Sequence, residues 1–247
     1  MDKFKIFNIN KFHHLFLNIF KNTQYIFDKY ANKTLKQVIF YKEGNEKFTS
    51  LDWVLQKYFE KNLENNFNFS FLKFIGEENT KETHLEITNE KMFTKLLSEF
   101  DIDKLDTVNN YGNSFSFLND KKYISETNEL NIEDCCLYVD PIDSTSSFID
   151  YNFGPVTSLI GVTYKGKALL GIVFYPRYKS VDSNPVMFFN VPSKGVFKYS
   201  YKTGLLENVV KVKGDDQELF HFCISKPRLF GEWRKNRKSI YNLITII

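Results

Sequence analysis

The sequence predicts an α+β fold, and three observations carry that expectation. Two stretches near the N-terminus place apolar residues at helical spacing, and a series of short apolar runs of strand length follows them. One pair of runs, 157–164 and 168–175, reads as a β-hairpin through its Lys165-Gly166-Lys167 turn. Helices first and antiparallel strands after them are α+β order rather than a repeating βαβ unit. At 247 residues the chain is long enough for one large domain or two small ones, with a sizeable core.

Taken in order, residues 9–30 form the first predicted helix, and the polar, lysine-rich 32–47 a loop. Leu51, Val54, Leu55, Tyr58, Phe59 and Leu63 make the apolar stripe of a second helix. Thr49 caps it, with Asp52 three residues on as a short version of the capping box. Strands are expected near 71–76 and 84–88, and a helix near 90–100. Residues 101–134 are rich in Asn, Asp and Ser without periodicity, as in an inserted excursion. The apolar run Cys135–Val139 reads as a buried strand that delivers Asp140 to a sheet edge, where Pro141 ends it. Ser144 and Thr145 then begin a helix. After the hairpin come strands near 186–191, 195–200, 208–213 and 219–225, and a helix over 230–245.

Composition narrows the function. Lysine and arginine number 33 against 30 acidic residues, with no basic block, so nucleic acid is not indicated as a partner. Cys135, Cys136 and Cys223 lack zinc or disulfide-framework spacing and read as reduced core residues of a cytoplasmic protein. The four histidines form no ligand pattern. Lysines interrupt the apolar residues at the N-terminus, which argues against a secretory signal, and no stretch approaches the length of a membrane span. The sequence does not set the oligomeric state.

The chemistry concentrates in Asp140-Pro141-Ile142-Asp143-Ser144-Thr145. Two carboxylates three residues apart, on a proline turn and followed by two hydroxyls, suit a hard cation together with a phosphate. Free N–H groups at the start of the following helix would face the anion. Upstream, Phe74-Ile75-Gly76-Glu77-Glu78 is a second apolar strand ending in acid. Acid clusters at two strand ends repel one another and are costly without a cation. Each group also has a plainer reading. Ser144 and Thr145 suit helix capping and Glu77 a surface turn. Glu78 either orients the site or is solvated, and Asp52 has the alternative reading of a first-turn acid favoured by the helix dipole.

These motifs resemble the lithium-sensitive, magnesium-dependent phosphatases of the inositol monophosphatase superfamily. Most of that superfamily has glycine after the second aspartate; the serine of D-P-I-D-S-T is similar to the inositol polyphosphate 1-phosphatase branch. Residues 48–56, 65–67 and 74–79 follow the same branch, and the resemblance covers about residues 48–225. It implies a layered α/β sugar-phosphatase fold. Residues 1–215 would be its metal-binding first subdomain, with two N-terminal helices and an antiparallel sheet, and 216–247 the opening of a second subdomain largely missing from a truncated chain. It implies two or three Mg2+ ions, lithium as inhibitor, and small-molecule inositol phosphates as partners. Glu77, Glu78, Asp140, Asp143 and the carbonyl of Ile142 are implied as metal ligands, and Asp52, Glu77 and Thr145 as catalytic. Asp143, Ser144 and Thr145 would meet the substrate. The implied reaction removes the 1-phosphate of inositol 1,4-bisphosphate and inositol 1,3,4-trisphosphate. Two alternatives stay open: a 3′(2′),5′-bisphosphate nucleotidase, and a metal-binding remnant impaired by the absence of a C-terminal half. That half would bring a W-D motif, whereas neither Trp53 nor Trp233 is followed by aspartate.

Overall fold

A computed structural model describes residues 5–31, 39–41, 47–67, 69–78, 129–178 and 184–211. The strands expected near 84–88 and 219–225, the helices near 90–100 and 230–245, most of 101–134, and the division at 215/216 lie outside the described residues. Strand β1 (Ile6–Asn8) leads directly into helix α1 (Ile9–Ala31). Asn8 Oδ1 accepts the Lys11 N–H at 2.8 Å, which satisfies one of the free donors of the first turn. The segment expected to be a loop over 32–47 contributes two short antiparallel strands, β2 (Ile39–Tyr41) and β3 (Lys47–Thr49). Three residues are too few for hydrophobic periodicity to register.

Helix α2 spans Ser50–Asn66. The expected capping box is present: Asp52 Oδ2 accepts the Thr49 N–H at 2.8 Å and the Thr49 hydroxyl at 2.5 Å. Strand β4 (Lys73–Gly76) follows, then β5 (Glu129–Asn131), which pairs antiparallel with β1 and so gives regular structure to the end of the segment read as a polar excursion.

Strands β6 (Cys135–Asp143), β7 (Thr157–Tyr164), β8 (Lys167–Tyr175), β9 (Val186–Val191), β10 (Gly195–Ser200) and β11 (Leu206–Lys211) join β4 in one sheet of order β11-β10-β9-β8-β7-β6-β4. A five-residue helix, α3 (Thr145–Ile149), sits between β6 and β7. The β7–β8 turn has φ 50° at Lys165 and 75° at Gly166, the paired positive values of a tight hairpin turn whose twist matches its strands. The expected antiparallel sheet requires one correction: β4 and β6 are parallel. Parallel neighbours need a long connection rather than a tight turn, and the chain between Gly76 and Cys135 is long enough to re-enter the sheet in the same direction. The strand expected near 208–213 begins earlier, at Leu206, and is described through Lys211.

Both long helices bury their apolar stripes against this sheet. Phe20 of α1 stacks on Phe174 of β8, with centroids 4.4 Å apart and planes 7° from parallel, and meets Phe59 of α2 edge-on at 5.8 Å. Phe16, Leu55, Leu137, Ile172 and Phe189 fill the same fully buried layer. At roughly 1.5–3 kcal/mol per buried large apolar side chain, this layer dominates the stabilisation of the fold.

Candidate metal centre

The parallel β4–β6 pair assembles the site. Its register sets Gly76 opposite Val139, and the Glu77 N–H donates to the Val139 carbonyl at 2.9 Å. Glu77 therefore leaves its strand beside Asp140. Burial, then the neighbouring carboxyls of Glu77, Asp143 and Asp52, hold Asp140 far above the usual carboxylate range, at about 9, and it shares a hydrogen bond with Glu77. Among the described residues no three His, Cys, Asp or Glu side chains converge as a ready-made cage. The donor set nevertheless fits a hard cation. Asp140 Oδ1 is buried and meets no hydrogen-bond donor among the described residues, and an acceptor-only oxygen in that position is satisfied by a positive ion.

Pro141 does not end β6 as the sequence predicts. The strand runs on to Asp143, but its pairing with β7 slips between Asp140 and Asp143. Proline has no N–H to give the ladder, and the irregularity absorbs that loss. The Pro141 carbonyl accepts instead from the buried Ser158 hydroxyl at 2.6 Å. Thr157 donates its hydroxyl to Asp143 Oδ2 at 3.4 Å. Neither β7 residue was among the sequence candidates. The available signal was a pair of hydroxyls opening a strand of alternating buried apolar residues.

Ser144 has φ 68° and ψ 43°, left-handed backbone that a side chain disfavours. It occupies the N-cap position of α3 without its side chain making the cap bond, so the capping alternative fails for Ser144. Thr145 does not cap either. Its Oγ1 lies 2.9 Å from the Ile142 carbonyl and 3.2 Å from Asp52 Oδ1. The hydroxyl has one proton and two acceptor neighbours, so both contacts are complete only when Asp52 is itself protonated.

Asp52 is 1% exposed. Burial raises its carboxyl to about 7; hydrogen bonds from Thr49 oppose that rise and the charge of Glu78 adds to it. The two readings of Asp52 are therefore compatible, because one oxygen closes the capping box and the other faces Thr145. Glu78 is 4% exposed, which removes the solvated reading of that residue. The structure thus gathers Asp52, Glu77, Glu78, Asp140, Ile142, Asp143 and Thr145 around the ends of β4 and β6. Ser144 adjoins them through its backbone.

Comparison with known proteins identifies the family. The model of the inositol monophosphatase family matches residues 18–226, and the chain belongs to that family of phosphatases. Among curated proteins, 3′(2′),5′-bisphosphate nucleotidase 1 of Dictyostelium discoideum is 39% identical over 62 residues, which are 24% of this chain and 20% of that protein. The Rattus norvegicus nucleotidase is 39% identical over 54 residues, 22% of this chain and 18% of its own. Among solved structures, staphylococcal inositol monophosphatase-1 soaked in LiCl aligns over 78% of this chain and 52% of its own, at 14% identity and TM-score 0.47. A dual-specific IMPase/NADP phosphatase bound with D-inositol-1-phosphate aligns over 78% and 51%, at 14% identity and TM-score 0.45. The chain spans about half the length of these structures, and the curated matches are confined to about a fifth of their proteins.

Proposed function

We propose that this chain carries the cation-binding part of a magnesium-dependent phosphomonoesterase that removes the 1-phosphate of inositol 1,4-bisphosphate and inositol 1,3,4-trisphosphate in the cytoplasm. The observation that carries the reading is the juxtaposition of Glu77 and Asp140 by the β4–β6 pair, with a buried Asp140 oxygen that no donor satisfies among the described residues. Glu77, Asp140, Asp143 and the Ile142 carbonyl would hold the first magnesium; Asp143 would also serve a second, and Glu78 would support the set from behind. When bound, magnesium supplies Lewis acidity to the phosphoryl oxygens and lowers the pKa of water.

The chain's own residues supply position and proton transfer. Thr145 Oγ1, fixed between the Ile142 carbonyl and Asp52, orients the attacking water, and Asp52 accepts a proton near neutral pH because burial lifts it to about 7. Water adds to phosphorus in line, the bond to the inositol oxygen breaks, and that oxygen takes up a proton as it leaves. Ser144 and Thr145 would meet the phosphate from the start of α3. Lithium inhibition belongs to the same proposal.

A second reading, a 3′(2′),5′-bisphosphate nucleotidase, is favoured by the local matches to nucleotidases. Serine at 144, where the resemblance places glycine in most of the superfamily, favours the inositol branch. Phosphate release from inositol 1,4-bisphosphate and from adenosine 3′,5′-bisphosphate, each with and without magnesium, separates the two. Magnesium-dependent release from the inositol substrate is expected. Release from the nucleotide alone would replace the first reading with the second, and binding of magnesium without release from either would leave a non-catalytic remnant.

A further inference from the structure

The turn that bears Glu77 is held from two sides. On one side the Glu77 N–H bonds the Val139 carbonyl at 2.9 Å. On the other, the Gln56 side chain grips the peptide groups of the next residue: Nε2 donates to the Glu78 carbonyl at 3.0 Å, and Oε1 accepts the Glu78 N–H at 2.9 Å. The second Nε2 hydrogen reaches Glu60 Oε1 at 3.2 Å. Gln56 is 3% exposed, and its carboxamide uses both donors and an acceptor, as a buried amide must. Such a fork presents to Glu78 the same donor and acceptor pair that a neighbouring strand would. The sheet has no further strand beyond β4 among the described residues.

Gly76 makes this approach possible. A Cβ at position 76 would lie 2.3 Å from Gln56 Cδ and 2.4 Å from each polar atom of the amide. Gln56 is also one helical turn beyond Asp52, so a single face of α2 reaches both halves of the site: Asp52 toward Thr145 and Gln56 toward the Glu77 turn.

We propose that Gln56 is a positioning residue that fixes the backbone of the Gly76–Glu78 turn and thereby aims Glu77 at Asp140, a role that rests on the reading of those two carboxylates as ligands of one cation. Truncating Gln56 removes both side-chain bonds to the Glu78 peptide groups and leaves the turn tied to β6 through the Gly76–Val139 pairing and the Glu77 N–H, so the Glu77 carboxylate is delivered more loosely.

The test combines Gln56→Ala, Gly76→Ala and the double variant in the 247-residue chain, with magnesium affinity read by titration calorimetry and Glu78 N–H protection read by hydrogen exchange without metal. Supporting residues of a metal site are typically worth 10–100-fold in affinity. Gln56→Ala is expected to weaken magnesium binding at least ~10-fold, and Gly76→Ala to do likewise by displacing the amide. The double variant is expected to bind no more weakly than the weaker single one, because the added methyl no longer meets Gln56; contacts that share a partner are non-additive in this way. Affinity of Gln56→Ala within twofold of wild type, or losses that simply multiply in the double variant, would overturn the role. If wild type itself binds no magnesium, the cation reading falls and takes the positioning role with it. Exchange at Glu78 still judges the clamp separately: faster exchange in Gln56→Ala upholds the clamp, and unchanged exchange removes it. Should Gln56→Ala fail to fold, Gly76→Ala alone must reproduce both effects or the proposal fails.

Discussion

The buried carboxyl of Asp52 makes metal-free stability depend on pH in a direction opposite to that of an ion-paired aspartate, and Asp52→Asn isolates the effect. In the unfolded chain this carboxyl titrates near 3.8, and in the fold near 7, because burial opposes its ionisation. The folded state therefore holds the proton more tightly than the unfolded state. Its contribution is fully present below about pH 4 and is lost as pH rises through 7. The gap between 3.8 and about 7 corresponds to roughly 4 kcal/mol at about 1.4 kcal/mol per pH unit. That is a large share of a typical domain stability of about 5–15 kcal/mol. Asparagine keeps an acceptor for the Thr49 N–H but carries no proton to lose. Urea unfolding in EDTA at pH 4.5, 6, 7.5 and 9 should show wild type losing stability relative to Asp52→Asn from the lowest pH to about 7.5, by a few kcal/mol. Above that pH the difference should level off. A stability difference that stays flat from pH 4.5 to 7.5 would refute the raised carboxyl, whatever its size.

Three other changes probe separate parts of the site. Asp140→Asn should remove calorimetric magnesium binding and magnesium-dependent phosphate release, while far-UV circular dichroism stays unchanged; wild-type turnover at saturating magnesium would sink the ligand assignment. Ser144→Gly should raise the unfolding free energy by about 1 kcal/mol, because glycine adopts φ 68° without the penalty a side chain bears there; denaturant midpoints check it. Ser158→Ala should cost about 1–3 kcal/mol in the same measurement, since the Pro141 carbonyl loses its donor in a buried position.

The parts of the fold visible in the sequence are those with long periodicity. Both long helices, the β7–β8 hairpin and strands β9 and β10 were legible because their apolar stripes extend over several turns or alternations. The short pairs β1–β5 and β2–β3 were not, since three residues cannot display a period. Within the candidate site, the meeting of the acid clusters at 76–78 and 140–143 was legible, because each stands at the end of an apolar run of strand length. The path through Pro141 was misread, since a proline usually stops a ladder and the hydroxyl of Ser158 that lets this strand continue is distant in sequence. Gln56 escaped notice for a related reason: its spacing from Asp52 marks a shared helix face, but only the tertiary structure shows what that face grips.

The parallel pairing of β4 with β6 has a consequence for how such a protein can change. Glu77 and Asp140 come from distant parts of the chain and are brought together by four paired positions at a sheet margin. Apart from β5, which pairs with β1, the connection must close a loop between β4 and β6, and in general each doubling of loop length adds only about 0.6 kcal/mol to the cost of closure. Length and composition between the two acidic motifs can therefore drift while the distance between the carboxylates stays fixed. Lineages can lengthen or shorten that interval without moving the candidate cation site, provided the four-residue seam survives.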